Sequence, residues 1–296
     1  MVNGRFRAKA GEPHPLSLFS AERVDYSLSR LRHYTGTQPD HFQRFVLFTN
    51  YQRYVDEFIE FGKAEIAGGD TFRAFVEPGN AVTTNPRLTD QPNSGERTKK
   101  LPQMPAYHLV ADGHMGVTLV NIGVGPSNAK TITDHVAVLR PHCWVMVGHC
   151  GGLRHTQRLG DYVLAHAYAR LDHVLDEDLP ISIPVPPIAE VQVALTAADS
   201  DITGLSSPEL KQRVRTGTVV STDDRDWELR YDELSTFFNQ SRAIAVDMEC
   251  ATIATNGFAC ACPTARFYAS RTSPCMAKLS CPAWPMRFMR NESASI

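Results

Sequence analysis

Apolar residues in this chain recur with two periods, and the switching between them is its main structural signal. RFVLFTN at residues 44–50 is a short apolar run bounded by polar residues, which predicts a strand. The segment YQRYVDEFIEFGKAEI behind it repeats at helical spacing, with Tyr51, Val55, Phe58 and Ile59 expected on one face. The same alternation returns downstream. VTLVNIGVG reads as a strand running into a glycine turn, and SNAKTITDHVAVLRP as a helix with the stripe Ala129, Ile132, Val136 and Leu139, stopped by Pro141. CWVMVGHCGG, DYVLAHAYAR and RTGTVVST follow as strands, with a helical stretch at Pro187–Ala197, and AIAVDMECATIATNGF reads as a strand entering a helix. Near the start, SAERVDYSLSRLRHYTG predicts a polar helix capped by Ser20 and ending near Gly36. Residues 82–104, rich in Thr, Pro, Asn and Lys, read as an exposed excursion without packing value. Strands alternating with helices imply an α/β protein with a largely parallel sheet covered on both faces. Ligands in such sheets sit beyond the carboxyl ends of the strands, where glycine turns cluster.

The pattern breaks at Ala259. Residues 259–296 carry four of the seven cysteines, with Pro263, Pro274, Pro282 and Pro285 and no regular apolar spacing. Because an amino acid largely fixes the first two bases of its codon, a reading one base earlier can be partly rebuilt. From Ala259 it permits R-V-R-V-P-Y-G-T-L-L-C-V-S-D-K-P, a buried strand followed by a polar loop. The Leu spanning Phe267 and Tyr268 and the Gly spanning Met276 and Ala277 are forced if each uses its usual codons. The hypothesis is a frame change near Phe258, tested by sequencing the gene there. The expected organisation is an N-terminal arm and helix over 1–40, a catalytic unit over 41–258, and a poorly ordered tail over 259–296.

Composition narrows the class of function. A hydrophobic content of 43% suffices for a sizeable core, while a net charge of -2 and a pI near 6.6 supply no field for nucleic acid. The absence of an 18-residue apolar stretch or a signal-peptide core in MVNGRFRAKAGEPHPL predicts a soluble cytoplasmic protein with no membrane partner. Cys143, Cys150 and Cys250 lie in apolar or small-residue settings that suit reduced thiols, and Cys260 and Cys262 lack zinc-ligand spacing. No metal and no cofactor is expected.

The candidate chemistry gathers at strand ends. Gly123 and Gly125 before the helix at Ser127 read either as an anion cradle or as a tight turn. No acidic residue follows about 20 positions on, which disfavours a dinucleotide site. The glycines of GHCGG let a ligand approach backbone, and His149 there is either a core-edge histidine or a polar contact to substrate. Cys150 reads as a small buried filler with no base beside it. Asp247, Met248 and Glu249 close a strand and open a helix. A carboxylate there can accept from vicinal sugar hydroxyls while the Met packs on the ribose. Trp227 in STDDRDWE reads either as a stacking platform for a heterocycle or as a core aromatic.

Together VDYSLSRLRHYTGT, HFQRFVLFTNYQRYVDEF, VNIGVGPSNAKTITDH, GHCGGLR, LGDYVLAHAYARLDHVLD, RTGTVVSTDDRDWELRY and AVDMECATIA resemble the nucleoside phosphorylase and nucleosidase superfamily, and within it the AMP nucleosidases, over about Leu18 to Phe258. The resemblance implies a three-layer α/β fold, its mixed and largely parallel central sheet flanked by helices. It also implies hydrolysis of AMP to adenine and ribose 5-phosphate, in a homohexamer. By the family pattern Glu249 takes the ribose hydroxyls, Met248 lies beneath the sugar, Trp227 or its neighbours meet the base, and His33 stands near the 5' end of the nucleotide. Arg30, Arg32 and Tyr34 beside His33 are candidates for the 5'-phosphate, since a dianion suits guanidinium donors; a helix-surface charge cluster is the alternative. Arg53 stands where related phosphorylases hold an anion. Those phosphorylases carry an Arg and a hydroxyl residue where this chain has Met146 and His149, which favours water over phosphate as nucleophile. The family's general acid, the Asp of a Ser-Asp pair, has no counterpart in frame: around Ser270 stand Arg271 and Thr272, and only the shifted reading restores it. Turnover is therefore expected to be severely reduced. The resemblance further implies that an N-terminal regulatory domain of longer members is lacking. The alternatives are a purine nucleoside phosphorylase and an inactive fragment that binds nucleotide or joins intact subunits.

Overall fold

The structure, a computed structural model, describes residues 19–261 and 278–279. The first helix, α1 (Ala21–Thr35), begins where Ser20 accepts from the Arg23 amide at 3.2 Å. It ends where Gly36 turns left-handed (φ 68°) and returns its amide to the Arg32 carbonyl. Its inner face is narrow: Ser27, Leu31 and Thr35 are buried, and most of the rest faces water.

β1 (Phe45–Thr49) is an interior strand of the first sheet. α2 (Gln52–Gly68) follows it and buries Tyr54, Val55, Phe58 and Ile66. The expected face is thus corrected by one turn at its start: Tyr51 is the N-cap and 42% exposed, and Tyr54 fills the place foreseen for it. Two short strands, β2 (Ala74–Glu77) and β3 (Ala81–Thr84), form an antiparallel hairpin that continues onto β4 (Ala106–Val110). The excursion at 82–104 is corrected accordingly: its start is strand β3, and Met104 is buried in the core. Between those ends, residues 86–101 are mostly exposed.

β5 (Val117–Asn121) lies parallel to β1, with Phe45 opposite Val117, and antiparallel to β4. α3 (Pro126–Val136) crosses over to β6 (Cys143–Val147), which lies parallel to β1 on its other side, with Phe45 opposite Cys143. Lys278–Leu279 forms a short β11 parallel to β6, so this sheet runs β11-β6-β1-β5-β4-β2-β3.

The second sheet has the order β7-β10-β9-β8. Its strands are β7 (Gly151–Gly152), β8 (Tyr162–Leu171), β9 (Val214–Thr222) and β10 (Ala243–Asp247); β8, β9 and β10 are parallel and β7 antiparallel. Helices α4 (Ala189–Thr203), α5 (Ser207–Arg213) and α6 (Tyr231–Gln240) connect its strands, and α7 (Cys250–Ala261) leaves β10 to pack beside α3. The main core joins both sheets: Phe48, Val120 and Trp144 from the first meet Val163, Val219 and Ala245 from the second, with Ile132 of α3 and Ile253 of α7 between. Gly257 is required there, because a Cβ would stand 2.8 Å from the Trp144 indole nitrogen. The architecture is the expected α/β one, a mixed sheet arrangement flanked by helices. Among the described residues no helix is long and apolar enough to cross a membrane.

Candidate active site

The carboxyl ends of β1, β5, β6 and β10 carry most of the residues that the sequence singles out. Glu249 follows β10 and is 1% exposed. Its Oε1 accepts from the Gly125 amide at 2.8 Å, a contact across 124 positions of sequence. Gly125 caps α3 with φ at 113°, a left-handed conformation that favours glycine. One arm of the expected glycine cradle therefore holds a carboxylate of the protein itself. Gly123 lies in the same connection between β5 and α3, its amide donating to Asn121 Oδ1 at 3.1 Å.

The first turn of α7 is held by side chains at the ends of the neighbouring strands. Asp247 Oδ2 accepts from the amides of Cys250 at 2.9 Å and Glu249 at 3.4 Å. Ser221 of β9 donates to Asp247 Oδ1 and accepts from the Ala251 amide at 2.8 Å. Thr252 donates to Asp172, which follows β8. Burial pushes the Asp172 carboxyl above its ordinary range, against the opposing pull of the Thr252 hydroxyl and Arg170. Arg170 is itself buried; it donates to the carbonyls of Leu179 at 2.8 Å and Pro180 at 3.4 Å and to Asp176, folding the loop after β8 back onto its own strand.

His149, beyond β6, is exposed, and its Nε2 shares a hydrogen bond of 3.2 Å with the Tyr54 hydroxyl. The Tyr51 ring meets it edge-on, with centroids 4.1 Å apart. Trp227 lies against Gly151, where a Cβ would come within 2.8 Å of its ring, and edge-on to Phe238 at 5.8 Å. Half-buried, it leans on the second sheet and keeps part of its surface in solvent.

The candidate phosphate ligands are dispersed. On α1, Arg30 donates to the Tyr34 hydroxyl at 2.6 Å and lies over the rings of Tyr26 and Tyr34. Its Nε is buried without a hydrogen-bond partner. His135 of α3 stacks on Tyr34, and burial holds its imidazole below the ordinary histidine range. Arg32 and His33 project from the exposed face. Arg53 is 68% exposed at its side chain and pairs with Glu57 one turn on, at 3.0 Å. The structure thus joins Glu249 to Gly125 and Trp227 to the GHCGG turn, and leaves Arg32, His33 and Arg53 outside those contacts. Tyr54, Ser221, Asp172 and Thr252 are the additions. Only Ser221, adjoining a predicted strand end, carried a local signal.

The segment around Ser270, where the family pattern would place the general acid, lies outside the described residues. Among those described, no group of three or more His, Cys, Asp or Glu is placed to hold a metal.

A model of the phosphorylase superfamily matches residues 94–270. The chain is 54% identical over 276 residues to AMP nucleosidase of Escherichia coli K12, and equally to that of Escherichia coli O157:H7. The match covers 93% of this chain and 57% of those relatives, so the chain spans little more than half their length. Among solved structures it resembles AMP nucleosidase from Bacteroides thetaiotaomicron, with a TM-score of 0.64 and 25% identity over 92% of this chain and 95% of that one. A futalosine hydrolase mutant of Helicobacter pylori shares the fold, with a TM-score of 0.52 and 12% identity over 85% of this chain and 96% of that one.

Proposed function

The chain belongs to the phosphorylase superfamily, and on that footing we propose that its site is built to hydrolyse the N-glycosidic bond of AMP, giving adenine and ribose 5-phosphate. The similarity to the AMP nucleosidases carries this reading. The buried carboxylate of Glu249 is the geometric feature that agrees with it, because a carboxylate acceptor suits the vicinal hydroxyls of a ribose. In the proposed reaction water attacks C1' as the bond to adenine N9 breaks. The bonding electrons leave with the base, an acid protonates the purine, and the attacking water gives up one proton to solvent as it becomes the C1' hydroxyl. Met248 packs beneath the sugar and Trp227 beside the base. Arg30, Arg32, His33, Tyr34 and Arg53 are the candidates for the 5'-phosphate. Gly125 serves the sugar through Glu249, with Gly123 shaping the same turn. His149, paired with Tyr54, takes the position where phosphorylases place a hydroxyl on phosphate, so water is the nucleophile.

The same reading makes residues 41–258 a catalytic unit of a cytoplasmic homohexamer, and 259–296 a segment out of register with it. Loss of an acid typically costs about 10²- to 10⁴-fold in rate, so this chain should bind AMP and turn it over very slowly. Chromatography of adenine released from AMP by the purified protein, with and without inorganic phosphate, tests the proposal. Slow release independent of phosphate supports it. Release that requires phosphate assigns a phosphorylase, and a normal hydrolytic rate removes the claim that the acid is missing.

A further inference from the structure

Each parallel strand of the second sheet ends in a side chain that grips the first turn of α7: Asp172 after β8, Ser221 on β9 and Asp247 on β10. A helix start leaves its first amides without intrahelical partners. Here those of Glu249, Cys250 and Ala251 are taken by Asp247 and Ser221, while Thr252 is tied to Asp172. All three strand-end residues are at least 95% buried, as is Glu249. Backbone and side chain of Glu249 are thereby fixed from opposite sides, by the second sheet through this capping relay and by the first through the Gly125 amide.

We propose that Ser221 and Asp247, supported by Asp172 through Thr252, are positioning residues that set the Glu249 carboxylate for the two ribose hydroxyls, so that discrimination for an intact ribose depends on them. The inference rests on the reading of Glu249 as the ribose acceptor. Its physical basis is that hydrogen bonds to a charged group are strong only at short, aligned distances. A carboxylate whose helix start is loosened still lies in the cleft but no longer meets both hydroxyls.

The test is calorimetric and needs no turnover: dissociation constants for AMP and for 2',3'-dideoxy-AMP, measured on the full chain and on Ser221→Ala and Asp247→Asn. Asp247→Asn keeps the side chain's size, so it reads the same relay should Ser221→Ala not fold. The wild-type chain should prefer AMP, and either variant should shrink that preference about tenfold while its affinity for the dideoxy compound stays unchanged. Equal loss of both affinities, or an undiminished preference, would overturn the inference, as would failure of both variants to fold, which marks a purely structural cap. A wild-type chain that binds AMP without preferring it to the dideoxy compound removes the ribose role of Glu249 and this inference with it. A wild-type preference that survives both substitutions undiminished leaves Glu249 in place and overturns the inference alone.

Discussion

Glu249 and the RLRHYTG segment of α1, both proposed to hold parts of one nucleotide, are restrained very differently. Glu249 is buried, bonded to the start of α3, and stands on a helix turn held by capping side chains from its own and the adjacent strand. Arg32 and His33 lie on the open face of α1, and Arg53 on α2 is tied to Glu57 on its own helix. The difference follows from chemistry. A sugar diol offers weak, directional hydrogen bonds that repay a fixed acceptor, whereas a phosphate dianion attracts mobile guanidinium groups over a longer range.

The largest expected effect separates the two faces of α1 itself. Leu31→Ala, at a site of 0% exposure, should lower the free energy of unfolding by about 2–5 kcal/mol. Arg32→Ala, at an exposed site beside it, should change it by less than about 0.5 kcal/mol. Urea titration of both variants checks this, and similar losses would mean that the helix is not anchored through Leu31. Next comes Glu249→Ala, which removes the sugar acceptor and leaves the Gly125 amide unpaired. AMP affinity should fall about 10- to 100-fold by calorimetry, and an unchanged affinity would break the contrast at its rigid end.

A pH effect of intermediate size should come from the buried contact between α1's end and the first sheet. His108 is wholly buried, bonded to Thr118 at 2.8 Å and Thr37 at 2.9 Å, and burial, with His41 nearby, holds its imidazole well below the ordinary histidine range. A histidine kept neutral in the fold takes up its proton more readily when unfolded. Its contribution is therefore complete above the unfolded value of about 6.5 and is lost as pH falls below it, at about 1.4 kcal/mol per pH unit. His41, His135 and His142 are displaced in the same direction. His108→Gln should reduce the steepness of the acid limb without removing it; urea midpoints from pH 7.5 to 5 give the slope, and an identical slope in the variant contradicts the assignment. The smallest effect is expected at Arg53. Its exchange for Ala should leave the unfolding free energy within about 0.5 kcal/mol, since exposed ion pairs contribute little. It should weaken AMP more than adenosine if Arg53 meets the phosphate, and equal weakening removes it from that role.

Local signals made much of this molecule legible in its sequence. Ser20 and Gly36 mark both ends of α1, and the runs at Phe45, Val117, Cys143 and Ala243 become the parallel strands expected of them. Reading failed at β2 and β4, whose pairing is antiparallel and decided by neighbours rather than by their own pattern. Tyr51 fits the helical repeat but stands one position before the helix. In the site, the residue types at the turns were visible, but their partners were not. Nothing local links Gly125 to Glu249, Ser221 to Asp247, or Tyr54 to His149, because each pair is brought together by the sheets.

The buried guanidinium of Arg170 has a consequence for how this protein meets proteases. The loop after β8 holds Asp176, Asp178 and polar turns that look open to cleavage, yet a protease must draw such a segment out in extended form. That cannot happen until Arg170 releases the Leu179 and Pro180 carbonyls. A lysine there has no planar fork to hold them. Arg170→Lys should therefore turn a protected loop into an early nick site while α7 and the first sheet remain intact.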